Sequence, residues 1–450
     1  MSQDQSLRPL AERVIDLAKA KGADQCDVLC QRGKSFGVSV QQGEIDKYKV
    51  SSAAIVGLRL IKDQRVGLTY SESFDGDALQ TMVDQAIDNA RFVAEDEWQR
   101  IDAQEPVEWV EDRPDIYQPD TVDLQEKMAF ARRLEQGLLK ADDRVASAPY
   151  NGYSDGEGEA IYLNHHGVYR YQRERSFQCY VAALTRDGDR QAMYGHSCNG
   201  RRFEDLDAKA CIDGALSYAL PLLNAKPIAT GRYDLVFEPD ELDQFLSCFI
   251  GTLSAKDILE GKSSFRQSLG EQIASPVFTL RDEPQYDRGF FYSRFDDEGV
   301  MRQPLTLITD GVLTSFFHNT ATARQMEGQS TGHGSRSAKS ALGVAPTQLV
   351  IATGQTPEAK ILGSDHLRVV SLKGLHSGTN PISGHFSLAV EGVLYKGGEP
   401  EQFVKDVTIS GNFYDFIRQI AQVGEREHAN SSRTFFTPYM LFEGVSVAGS

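Results

Sequence analysis

The chain has 450 residues, 40% of them apolar and 25% charged, proportions of a folded globular protein rather than a disordered or fibrous one. That length exceeds what a single hydrophobic core ordinarily serves, so two or three domains are expected. Forty-seven Lys and Arg against 64 Asp and Glu leave a net charge of −17, which repels a phosphate backbone and argues against direct nucleic-acid binding.

The opening MSQDQSLRPLAERV lacks the apolar core of a secretory signal, and no stretch approaches the roughly 18 apolar residues that span a bilayer. The six cysteines, at positions 26, 30, 179, 198, 211 and 248, form no evenly spaced disulfide framework. The expectation is a reduced, cytoplasmic protein.

Residues 7–21 predict a helix, with Leu10, Val14, Leu17 and Ala18 at helical spacing and Gly22 as its stop. The period then changes to two. Phe36, Val38 and Val40 alternate with polar residues, Gln42-Gly43 predicts a turn, and an apolar run over 53–61 leads through a second turn to a strand over 66–70. Strands with such short links form an antiparallel meander. A helix follows on Leu79, Met82, Val83, Ala86, Ile87 and Ala90, then an acidic, Pro-containing connector over 105–120 and a third helix over 122–141. Further strands follow, including a long hairpin about Asp187-Gly188, and then a helix over 206–223.

The segment 224–231 (NAKPIATG) is the main candidate boundary. It separates an N-terminal α+β region, 1–223, which the connector near 105–120 divides further, from a C-terminal domain, 232–450. The latter begins with a strand over 233–237 and a helix over 241–253 and then turns β-rich. A hairpin about Asp310-Gly311, strands near 348–352, 367–372, 386–390 and 404–409, and a helix over 413–423 are expected. The fold class is α+β: an antiparallel meander with packed helices, then a barrel-like, mostly antiparallel domain with a few helices. Strands and helices do not alternate regularly, which disfavours a doubly wound parallel sheet.

Several catalytic patterns fail on context. Gly33-Lys34-Ser35-Phe36-Gly37 fits G-x-S-x-G, but the strand-to-helix elbow that exposes a serine nucleophile is missing, and a turn is the better reading. Gly261-Lys262-Ser263 lacks the earlier glycine of a phosphate loop, position 256 being lysine. Gly332-His333-Gly334 is followed by Ser337 where a dinucleotide fingerprint needs glycine, and reads as a flexible loop. None of the nine histidines precedes a glutamate, no two lie four or five apart, and His165 and His166 would point to opposite faces of a strand. No helix-borne zinc motif exists here, so no catalytic, cofactor-binding or metal-ligating residue is assigned with one reservation. If Asp187-Gly188 forms a two-residue turn, Cys179 falls opposite His196, with Cys198 on the same face. Three soft ligands would then share one side of a ribbon. Phe177, Val181, Ala183 and Ala192 line that side too, which favours core packing over a metal or redox role.

The downstream half carries more specific landmarks: Lys262-Ser263-Ser264-Phe265, Leu269-Gly270-Glu271-Gln272-Ile273, Phe295-Asp296-Asp297-Glu298-Gly299-Val300, Thr309-Asp310-Gly311-Val312-Leu313-Thr314, Ser330-Thr331-Gly332-His333-Gly334, Ile382-Ser383-Gly384 and Val407-Thr408-Ile409-Ser410-Gly411-Asn412. In this order and spacing the chain resembles the TldD/PmbA family of peptide-processing proteases, nearly end to end. The resemblance implies a heterodimer acting on unfolded peptides, with zinc held in the TldD subunit by a His-Glu-x-x-x-His helix and a cysteine near its C-terminus. The corresponding segment here, 245–252, reads FLSCFIGT, and no cysteine follows Cys248. The resemblance therefore implies the TldE (PmbA) type of subunit, with no cofactor of its own and zinc expected in a TldD-type partner.

Other readings stay open at this stage. A stand-alone, homodimeric peptide-binding or regulatory protein would bind peptides without a partner. Modulation of DNA gyrase, an older label of the family, would have to work without direct DNA contact, given the net charge. An independent hydrolase with an unfamiliar site would cleave peptides as the lone chain. No membrane association is expected.

Overall fold

A computed structural model describes residues 7–449, and all that follows concerns those residues. The first helix, α1 (Arg8–Ala20), ends at Gly22, whose φ of +82° suits only glycine comfortably. The meander follows as β1 (Gln25–Gln41), β2 (Glu44–Lys62) and β3 (Arg65–Ser71). Both of its turns place two successive residues at positive φ, Gln42 and Gly43 in the first and Asp63 and Gln64 in the second, the twist that matches paired strands. Next come α2 (Gly76–Ala90), β4 (Glu108–Glu111), α3 (Leu124–Ala141), β5 (Val145–Asn164), β6 (Tyr169–Asp187), β7 (Arg190–Gly200) and α4 (Ala208–Ala219). The connector thus contains a short strand, β4, which pairs in parallel with β6.

Among the described residues these strands form one seven-stranded sheet in the order β3-β2-β1-β5-β6-β4, with β7 also on β6. It curves as a half-barrel because four of its strands are 17 to 20 residues long. Each is long enough for two helix pairs to dock in succession on one face. The even residues of β1 show this: Cys26, Val28 and Cys30 pack under α1 and α2, whereas Phe36, Val38 and Val40 pack under α3 and α4. Gly33 to Gly37 lies inside β1, paired with both β2 and β5, so this segment is strand rather than the expected turn.

The second half contains β8 (Gly231–Phe237), α5 (Pro239–Ser247), β9 (Leu280–Asp282), β10 (Leu305–Thr309), β11 (Val312–Leu313), β12 (Gly334–Ser335), β13 (Gly343–Val344), β14 (Leu349–Ile351), β15 (His366–Lys373), β16 (His385–Lys396), β17 (Glu399–Asn412), β18 (Ile420–Ala429) and β19 (Phe435–Ala448). Strand β8 pairs with β15 on one side and β19 on the other, and β19-β17-β16-β15-β8 therefore closes on itself as a barrel. Its interior joins α5 in one large core. The helix expected over 413–423 is only Phe413–Phe416; Ile420 onward is strand. Phe413, Phe416, Ile417, Ile420 and Val423 are all buried, so their helical spacing records burial, and pairing with β19 decides the backbone.

On the opposite face of the sheet, Asp27 of β1 and Arg59 of β2 meet the second half. Arg59 donates to Asp27 at 2.9 Å and lies 3.5 Å from Glu298, while Arg336 closes on the other oxygen of Asp27. All four side chains are buried. Arg170 donates to the Gly299 carbonyl at 3.0 Å. A Cβ on Gly57 would lie 2.3 Å from the Ala338 carbonyl oxygen, so only glycine lets that loop reach β2. No helix is long and apolar enough to cross a membrane.

Candidate functional site

The sequence landmarks of the second half meet in space, in pairs. Gly334 N–H donates to Asp296 Oδ2 at 2.8 Å, joining the 295–300 and 330–334 segments, and Thr320 N–H donates to Glu298 Oε2 at 2.8 Å. The Gly270 and Ile273 amides donate to the Leu313 and Gly311 carbonyls, joining 269–273 to 309–314. Ser264 Oγ donates to the Ile382 carbonyl at 3.3 Å, Asn412 Nδ2 to that of Ser383 at 2.8 Å, and Phe413 N–H to that of Gly384 at 2.7 Å. The last set gathers at the C-terminal end of α5.

Helix α5 starts with Pro239 at its first turn, where a missing N–H costs nothing, and buries Leu242, Phe245 and Leu246. Phe245 and Phe249, one turn apart, lie with ring centroids 5.4 Å apart. Phe245 meets Phe386 and Phe416 edge-on, each at 5.1 Å, and Phe249 stacks on Phe413. Ser263 Oγ donates to the Thr252 carbonyl at 2.6 Å and accepts from the Phe265 amide, which presents the Phe265 ring to the edge of Tyr414. The void left among these rings is about 20 Å³ and is walled by apolar side chains and Thr252. It has no room for a peptide. Cys248 is half-buried and donates to the Gln244 carbonyl at 3.4 Å; burial raises its pKa.

Carboxylates lie at the other end of α5, in structural roles. Glu241 accepts from the Leu372 amide at 2.7 Å and Asp243 from Asn430 Nδ2 at 2.8 Å. Burial pushes Glu241 up to about 8 and Asp243 up to about 6. The imidazoles are scattered. His165 and His166 sit in the turn after β5 with ring centroids 3.9 Å apart, not on opposite faces of a strand. His333 is fully buried, its Nε2 3.1 Å from Asp282 and its Nδ1 2.8 Å from Thr331 Oγ1, so Gly332-His333-Gly334 is packed rather than a flexible loop. Burial lowers His318 to about 4.

The soft-ligand cluster changes membership. The hairpin turn is Gly188-Asp189, with Gly188 at φ +60°, the glycine-first turn that suits a two-residue hairpin. Asp187 therefore pairs with Arg190, Cys179 faces Cys198, and His196 faces Val181. The third thiol is that of Cys211, from the first turn of α4, and the Sγ atoms of Cys179, Cys198 and Cys211 all lie within 4.8 Å of one another. Sequence reasoning missed Cys211, although Cys211, Ala215 and Ala219 mark the buried face of α4 at i, i+4 and i+8. Hydrogen bonds from Cys179, then Cys211 and His196, hold the Cys198 thiol well below its ordinary range. The reciprocal bond to Cys198 raises Cys179 to about 12.

Profiles of three PmbA/TldA metallopeptidase domains match in succession: domain 1 over residues 26–90, the central domain over 117–223 and the C-terminal domain over 230–449. The chain belongs to the TldD/PmbA metallopeptidase family, and in sequence it is of the PmbA (TldE) type. It is 25% identical over 434 residues to the metalloprotease PmbA of Escherichia coli O157:H7, covering 94% of this chain and 93% of that one. The metalloprotease PmbA homolog of Haemophilus influenzae is 23% identical over 458 residues, covering 100% and 97%. Among solved structures, one from Thermotoga maritima, described as a candidate modulator of a DNA gyrase, superposes with a TM-score of 0.87 at 25% identity and covers 98% of this chain and 100% of that one. TldE from Thermococcus kodakarensis superposes with a TM-score of 0.83 at 22% identity, covering 98% and 100%.

Proposed function

We propose that this chain is the non-catalytic subunit of a heterodimeric zinc metalloprotease, cleaving unfolded peptides with zinc supplied by a TldD-type partner. One observation carries the reading: the end of α5, where the 262–265, 382–384 and 407–412 landmarks gather, is filled by Phe245, Phe249, Phe413 and Phe416. A hydrolytic zinc needs about three nitrogen, oxygen or sulfur ligands and one open position. Phenylalanine offers none of these, and the packed rings exclude both water and substrate. The segment thus keeps the architecture of the family while its chemistry resides elsewhere.

The uncovered part of the half-barrel offers such an assembly a surface for an extended peptide. A cleft of about 510 Å³ there is bordered by Lys47, Lys49, Tyr150, Ser154, Gln178 and Tyr180, and both tyrosine rings are solvent-exposed. Main-chain pairing with an extended segment gives affinity with little sequence preference. The test is to purify the chain alone and with a co-expressed TldD-type partner. Association with that partner and cleavage of an unfolded polypeptide by the pair alone would support the proposal. Peptide binding by a partner-free homodimer would favour the stand-alone reading.

A further inference from the structure

We infer that Cys179, Cys198 and Cys211, with the His196 imidazole as fourth ligand, form a zinc(II) site that clamps α4 to the β6–β7 hairpin. The thiols come from three separate elements, and their sulfur atoms already lie within 4.8 Å of one another. Tetrahedral zinc with Zn–S of about 2.3 Å sets its sulfurs about 3.8 Å apart, so each pair has to close by about 1 Å at most. Three sulfurs and an imidazole are soft and borderline donors, suited to zinc and unsuited to calcium or magnesium.

The surroundings are shaped for the fourth ligand. His196 is two residues from Cys198, on the same face of β7, and faces α4 at Gly214. A Cβ built on Gly214 would lie 2.5 Å from the His196 ring, so the helix surface is cut away where the imidazole sits. Cys211 Sγ donates to the His196 carbonyl at 3.2 Å, fixing the start of α4 against β7.

Core packing explains the site less completely. Buried cysteines do behave as small apolar residues, and Cys179 and Cys211 are fully buried among Phe177, Val181 and Ala215. Packing alone requires neither the convergence of three sulfurs nor a half-buried Cys198 and His196 at the rim. That rim gives a cation a way in.

The test uses the full chain, purified under reducing, anaerobic conditions, stripped with a chelator and then offered zinc(II) or cobalt(II). One cation per chain is expected, with a thiolate-to-cobalt charge-transfer band and the intense visible bands of tetrahedral cobalt. Cys198→Ser and His196→Gln, both at the rim, should keep the native circular dichroism and lose stoichiometric binding. Failure of the folded, reduced wild-type chain to retain either cation would overturn the site. So would an unchanged cobalt spectrum in both variants, copper in place of zinc in the isolated protein, or a Cys179–Cys198 disulfide found by thiol titration.

Discussion

Phe249 and Phe413 lie face to face, with ring centroids 4.3 Å apart and planes 5° apart, where α5 meets the end of β17. The stack joins the 245–252 segment to the residue that follows the 407–412 landmark through carbon alone, and it makes this end of α5 part of the barrel core.

Truncating that stack should therefore cost stability. Phe249 is fully buried, and removing a buried phenylalanine side chain typically costs about 3–5 kcal/mol through lost transfer energy and the cavity left behind. Phe249→Ala is expected to lower the urea midpoint accordingly and to leave zinc binding by the partner subunit unchanged. A loss below about 1 kcal/mol in urea unfolding would show that the ring is not core.

The interface between the two halves rests on Asp27, which accepts from Arg59 and Arg336 at once. Asp27→Ala would remove the carboxylate that two buried guanidinium groups share, leaving Arg59 near Glu298 and Arg336 near Asp297, and breaking a buried pair costs about 3–5 kcal/mol. The expected result is a lower unfolding midpoint and faster proteolysis in the 224–231 linker than in wild type. Wild-type midpoint and cleavage rate in the variant would contradict this role.

Glu241 gives a pH dependence of definite sign. Burial raises its pKa from 4.5 to about 8, so the folded chain holds a proton that the unfolded chain has released. Its stabilising contribution is complete below about pH 4.5 and is lost as pH rises through about 8, at no more than about 1.4 kcal/mol per pH unit. Glu241→Gln should flatten this decline in denaturation curves taken between pH 5 and pH 9. An unchanged slope would mean that Glu241 stays ionised in the native state.

Much of this was legible in the sequence, where one interaction dominates each choice. The even-residue alternation of Phe36, Val38 and Val40 marked the core face of β1, and the motif order marked the family. The misreadings occurred where local signals compete. Asp187-Gly188 and Gly188-Asp189 both suit tight turns, and the choice of glycine as the first turn residue moved the register by two and exchanged His196 for Cys198 opposite Cys179. Strand β19 was not anticipated: Pro438 argues against a central strand, yet it sits next to a register shift in the pairing with β18. Contacts between distant segments, such as Asp27 with Arg336 or Cys198 with Cys211, have no local signature at all.

The most direct test of the central claim is peptidase activity on an unfolded polypeptide, measured for this chain alone, for a TldD-type partner alone and for the two mixed in equal amounts. The account expects a stable complex and cleavage that reaches its full rate only in the mixture, abolished by removing the partner's zinc. Cleavage by this chain alone, or a mixture whose components elute separately with no gain in activity, would contradict it.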